Sequence, residues 1–135
     1  MTRVAEMLAA HPKSLVGLDQ AKLAECIEAC FDCAQVCTAC ADACLAEEMV
    51  ADLVHCIRTD LDCAAICATT GTILSRRTGS DASVTEALLE TCRIACRVCG
   101  NDCANHADMH EHCRICAEAC RRCEAACASL LSDLG

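Results

Sequence analysis

From Leu23 onward, apolar side chains return at alternating steps of four and three residues, and polar side chains fill the positions between them. Leu23 is followed by Cys26, Cys30, Cys33, Cys37, Cys40 and Cys44. A three–four alternation stays close to the helical repeat, so these side chains share one helix face. Ile27, Ala29, Ala34, Val36, Ala41 and Ala43 flank the seam, while Glu28, Asp32, Gln35 and Asp42 take the opposite, solvated face. The pattern predicts a first long helix over 18–46. The same register continues through Met49, Leu53, Cys56, Asp60, Cys63, Cys67, Thr70 and Leu74, which predicts a second over 48–77. Arg76 and Arg77 suit its C-terminus and Gly79 the position beyond.

Ser83 and Glu86 have the S-x-x-E spacing of a capping box, so a third helix is expected over 84–107. Its seam reads Thr85, Leu89, Cys92, Cys96, Cys99, Cys103, His106 and His110. A fourth, over 109–132, carries Cys113, Cys116, Cys120, Cys123, Cys127, Leu130 and Leu134, and no Pro or Gly marks the turn between the two. Upstream, residues 2–10 form a short amphipathic helix with Val4, Met7 and Leu8 on one side, before Pro12 and Gly17 punctuate the chain. Short connections imply antiparallel neighbours. The expected fold is all-α, an antiparallel up-down-up-down four-helix bundle with a short extra N-terminal helix, in a single domain over 1–135.

Composition changes what that core is made of. Of 135 residues, 18 are Cys, with one Phe and no Trp or Tyr, so sulfur, Ala and aliphatic groups must fill the interior. One Pro and five Gly do not suit a loop-rich disulfide scaffold. A net charge of −9 without basic clusters makes nucleic acid and anionic membrane poor partners, and its plain reading is solubility. The N-terminus has no twin-Arg pair and no signal-peptide apolar core, and no stretch reaches the ~20 apolar residues of a bilayer span. A cytoplasmic location is expected, where thiols stay reduced or bind metal.

A lone buried Cys is usually a small hydrophobe, but that does not explain so many on one register. Disulfides between seam neighbours fit poorly, because Cβ vectors along a helix run nearly parallel. Iron–sulfur ligation normally uses loop backbone, and the bacterial run ends in Cys-Pro, which is missing from CRVCGNDC and CRICAEAC. Zinc asks for closed tetrahedra, and each tetrathiolate would bury a net negative charge. Either remains the alternative, with a redox or structural role. Cu(I) is soft, and one Cu⁺ replacing each thiol proton leaves the core neutral. Multiple Cu(I) ions, about one per cysteine, are therefore the expected cargo. No Cys stands apart with a His base and an orienting group, so an enzyme is not expected.

The repeated CxxxCxxC pattern, at this density and over essentially the whole chain, resembles the copper storage proteins (the Csp family), in particular the cytosolic type. The resemblance implies a cysteine-lined four-helix bundle filled with Cu(I), assembled as a homotetramer. A copper chaperone is a further candidate partner.

Antiparallel threading sorts the seam residues that are not Cys. Leu23, Thr70, Leu74, Leu89, Leu130 and Leu134 are expected to gather as a hydrophobic plug. Cys44, Met49, Leu53, His106, His110 and Cys113 are expected at the opposite end, with Met109 and His112 nearby. His106 and His110, one turn apart, would hand copper inward, and Asp60 would accept an ion or proton in transit. The cytosolic family has an Asp and two His at corresponding places. Asp60 needs a buried partner, for which a nearby His or Arg is one reading. His11 and His55 are off the seam and read as surface residues, while His112 and Met49 carry no assigned role. Phe31, Val54, Ile57, Leu61, Ile94 and Val98 also lie off the seam and divide between helix packing and a subunit interface.

Overall fold

A computed structural model describes residues 2–13 and 17–134. It contains a short helix α1 (Val4–Ala9) and four long helices, α2 (Gln20–Leu45), α3 (Val54–Leu74), α4 (Ala82–Ala104) and α5 (Glu111–Asp133). Around the bundle, α2 packs on α3 and α5, and α4 closes the ring against the same two helices. Sulfur contacts give the direction of each pair. Between α2 and α5, Cys26 meets Cys127, Cys33 meets Cys120 and Cys40 meets Cys113. Between α3 and α4, Cys56 meets Cys103, Cys63 meets Cys96 and Cys67 meets Cys92. In both pairs one number rises as the other falls, which only antiparallel helices allow.

Helix starts follow local chemistry. The Asp19 carboxylate accepts from the Lys22 backbone N–H at 2.9 Å and opens α2. Asp81 does the same for α4, accepting from the Ser83 and Val84 N–H groups at 2.9 and 3.0 Å. This corrects the expected Ser83–Glu86 capping box: Asp81 precedes Ser83, its carboxylate is the stronger acceptor, and the helix begins at Ala82. The second long helix also starts later than the expected residue 48. The chain reverses after Leu45 through a turn and a 3₁₀ segment, Val50–Leu53, before α3 begins at Val54. The seam register runs on through that reversal, so spacing alone gives no sign of it. At the far end α3 stops at Leu74 rather than 77, leaving Arg76 and Arg77 beyond it, and Gly79 supplies the positive φ of the turn. Between α4 and α5 the chain leaves the helix at Ala104 and re-enters at Glu111.

Small residues bring the walls close. At Gly100 on α4 an added Cβ would stand 3.2 Å from Cys120 Cβ on α5, an atom fixed by its own backbone. Leu23, Leu74, Leu89 and Leu130 are fully buried with Thr70 at the expected plug end, while Leu134 is half-buried at its rim. Burial of each such Leu is worth roughly 1.5–3 kcal/mol. Outside the bundle α1 lies against α2 through buried Leu8 and half-buried Val4, but Met7, expected on the same side, stays exposed. His11 at its end bonds Thr78 Oγ1 at 3.1 Å, tying the N-terminal segment to the turn before α4. Ion pairs strap α2 to α5, with Lys22 to Asp133 at 2.8 Å and Arg122 to Glu25 at 2.8 Å. No helix among the described residues is long and apolar enough to cross a membrane.

Candidate metal centre

The four seams converge as the spacing requires. All 18 cysteines are free thiols and buried, none more than 2% exposed. Their sulfurs touch along helices and across them. Cys33 and Cys37 are 3.7 Å apart on α2, and Cys63 and Cys67 3.7 Å apart on α3. Across the core, Cys67 lies 3.5 Å from Cys96 and Cys37 3.6 Å from Cys116. Groups of four sulfurs within mutual reach of one ion recur along the axis: Cys30, Cys92, Cys123 and Cys127; Cys33, Cys63, Cys67 and Cys96; Cys33, Cys37, Cys63 and Cys120; Cys37, Cys99, Cys116 and Cys120. These groups share members. Cys33, Cys37, Cys63 and Cys120 each belong to two of them. Separate closed zinc tetrahedra each need four thiolates of their own, which quartets with common members do not provide, whereas two- and three-coordinate Cu(I) can bridge neighbours.

Proton affinity follows from crowding. Hydrogen bonds from Cys116, Cys120 and Cys33, with burial, push the Cys37 thiol up, and burial alone is the largest influence lifting Cys44 to about 12. Hydrogen bonds divide the set, with Cys127 and Cys30 drawing the Cys26 thiol down to about 5, yet burial opposes charge at each of these sulfurs and favours a core without net charge. A soft monocation that replaces each proton preserves that neutrality.

Asp60 breaks the sulfur rule inside the core and is fully buried. Its partners are thiols, not the His or Arg considered from the sequence. Oδ1 accepts from Cys99 at 3.0 Å, Cys103 at 3.3 Å and Cys116 at 3.3 Å, and Oδ2 is buried without a partner. Burial, reinforced by Cys99 and Cys116 beside it, drives this carboxyl far above the carboxylate range. Asp60 thus stands as a neutral oxygen donor between Cys56 and Cys63 on the α3 wall.

The histidines gather at the end opposite the leucine plug. His106 and His110 lie in the α4–α5 connection rather than on a continuous helix, yet the His110 N–H bonds the His106 carbonyl at 3.0 Å and keeps them one turn apart. His106 is half-buried, and His110, at the N-cap of α5, has 9% of its side chain exposed. His112, unassigned from the sequence, is the ring nearest to sulfur. Its Nδ1 is 3.4 Å from Cys40 Sγ and 3.6 Å from Cys113 Sγ, and with Cys44 these groups form a mixed thiol–imidazole site. Burial works against charge on His112, but hydrogen bonds to Cys40 and Glu47 outweigh it and place its pKa above the ordinary value. Its neighbours Cys40 and Glu47 come from α2 and the turn just past it, which the residue spacing along α5 does not reveal. Leu53 is fully buried beneath this end, while Met49 and Met109 are exposed at its rim. His55 is a surface residue paired with Asp102 at 3.0 Å.

A sequence model of the copper storage protein family (Csp) matches residues 19–132. No curated protein matches the chain. Among solved structures, the copper storage protein Ccsp of Streptomyces lividans loaded with 10 copper equivalents is 58% identical, with a TM-score of 0.94 over 96% of this chain and 98% of that one. A structure of copper loading to a cytosolic copper storage protein of the same organism, with five coppers, is 62% identical, with a TM-score of 0.84 over 85% of this chain and 96% of that one. The Cu(I)-bound copper storage protein BsCsp3 is 38% identical, with a TM-score of 0.70 over 78% of this chain and 94% of that one; its apo form is described from Bacillus subtilis. With a sulfur-lined core and a match that spans all four of its long helices, the chain belongs to the copper storage protein family.

Proposed function

We propose that the bundle stores and buffers many Cu(I) ions on its core thiolates, close to one per cysteine, and that they enter at the histidine end. The observation that carries this reading is the succession of sulfur quartets along the core, three of which share members. An overlapping set has no natural stopping point after one or two ions. The ligands are Cys26, Cys30, Cys33, Cys37, Cys40 and Cys44 of α2, Cys56, Cys63 and Cys67 of α3, Cys92, Cys96, Cys99 and Cys103 of α4, and Cys113, Cys116, Cys120, Cys123 and Cys127 of α5. His106, His110 and His112 receive ions at the mouth, and Asp60 relays them past the α3 gap in the sulfur lining. Titration of the reduced apo-protein with Cu(I) under anaerobic conditions tests the capacity. Thiolate-to-copper absorption is expected to grow linearly to about one ion per cysteine. Saturation after one to four ions, or acid-labile sulfide in the isolated protein, would overturn it.

The route has its own test. Changing Asp60, His106 and His110 together to Ala is expected to slow Cu(I) loading in stopped-flow mixing while leaving the final capacity nearly intact. Wild-type kinetics in that variant would end the proposed route. A cytosolic setting is supported by the designation of the 62% identical Streptomyces relative. There the store would draw copper from a chaperone and hold it away from other metal sites. Exposed Phe31, Val54, Leu61, Ile94 and Val98 leave apolar surface for self-association as a homotetramer, which light scattering on the eluting protein would measure.

A further inference from the structure

Glu47 lies just past the end of α2 and has no place in the sulfur seam. One of its oxygens, Oε2, stands 2.9 Å from His110 Nδ1 and 2.9 Å from His112 Nε2. The two rings stack, with centroids 5.4 Å apart and planes 17° from parallel. A carboxylate can only accept, so the ring nitrogen facing it must carry hydrogen. The two rings meet Glu47 through different nitrogens. Their opposite nitrogens are therefore different too. His112 turns Nδ1 to the sulfurs of Cys40 and Cys113, at 3.4 and 3.6 Å. His110 is left with Nε2, which is buried and has no hydrogen-bond partner. A hydrogen on that nitrogen would be a buried donor with no acceptor, so the site favours a bare lone pair there.

We propose that Glu47 is a positioning residue for copper uptake, holding His110 as its Nδ1–H tautomer and His112 as its Nε2–H tautomer. Each imidazole then offers a lone pair to Cu(I) from the other ring nitrogen. His110 presents Nε2 and His112 presents Nδ1 beside the first thiols of the store. A buried, partnerless imidazole nitrogen is the signature of a ligand held ready. The hydrogen bond on the far side of each ring fixes its orientation and raises its basicity. This inference rests on the proposed histidine route.

Long-range ¹H–¹⁵N correlation spectra of the reduced, full-length apo-protein with ¹⁵N-labelled histidine, recorded over an alkaline pH series until the ring signals stop moving, report each tautomer directly. His110 is expected as Nδ1–H and His112 as Nε2–H. Glu47→Ala should lose this selection at both rings and slow Cu(I) loading by about 10-fold, the lower range for removing a partner that orients a metal ligand. Glu47→Gln, whose amide oxygen can still accept, should recover most of both. Wild-type tautomers in Glu47→Ala would overturn the role of Glu47 alone. Loading as slow in Glu47→Gln as in Glu47→Ala, with tautomers kept, would overturn it in favour of charge. Wild-type loading in a His110→Ala/His112→Ala protein would overturn the route itself, and with it the purpose assigned to Glu47.

Discussion

Cys37 shows what a single residue contributes to a shared core. Its sulfur lies 3.7 Å from Cys33 and from Cys120, 3.6 Å from Cys116 and 3.9 Å from Cys99. In a closed four-ligand site, losing one such sulfur would destroy a whole metal centre. In a continuous rod, the neighbours re-bridge and only one ligand is missing. Cys37→Ala is therefore expected to lower Cu(I) capacity by about one ion, read as the endpoint of the anaerobic titration. A loss of several ions at once would point to separate closed clusters. Asp60 makes the complementary point, since one oxygen accepting from three thiols keeps the lining polar where a sulfur is missing. Its place on the seam was legible from spacing, but its partners were not, because they come from α4 and α5.

At the scale of the element, the helices owe their faces to the repeat and their ends to individual side chains. Asp81 is held below the ordinary carboxylate range by the Ser83 hydroxyl and by the Val84 and Ser83 N–H groups. Such a group stabilises the folded state above its unfolded pKa of about 3.9, and the effect disappears as pH falls through its lower folded value. Asp81→Ala should thus lower the apo-protein's melting temperature by about a few degrees at neutral pH. The difference should close in strong acid, where both proteins lack a charged cap. An equal deficit at both pH values would mean that packing at the start of α4, rather than the charge on Asp81, is responsible. The early expected start of α3 has a related cause. Seam periodicity passes unchanged through the turn and the 3₁₀ segment, so the reversal needed by antiparallel neighbours leaves no mark in the spacing.

For the molecule as a whole, the leucine plug and the proposed site of uptake lie at opposite ends. The leucine plug supplies the well-packed apolar contacts that a thiol core provides only weakly, and the histidine end holds the groups able to meet an ion. Leu130→Ala, at a fully buried position, should cost about 2–5 kcal/mol of apo-protein stability in chemical denaturation. Cu(I) loading at the far end should keep its initial rate. Slower loading in step with lost stability would show that uptake depends on the whole bundle opening.

Fold class, the four sulfur walls, the plug and the kind of cargo were legible in the amino-acid sequence. They depend on a local property, the three–four spacing that puts Cys26 to Cys44 and its three counterparts on helix faces, and on the affinity of thiolate for soft ions. The tertiary structure alone decided which sulfurs form overlapping quartets, which thiols meet Asp60, and that His112 turns Nδ1 toward Cys40. It also brought Glu47, from the end of α2, onto two rings at the start of α5. Those contacts depend on the axial offset between antiparallel helices and on the path of the connections at the mouth. Both are set when the helices pack together, and neither has a periodic signature along the chain.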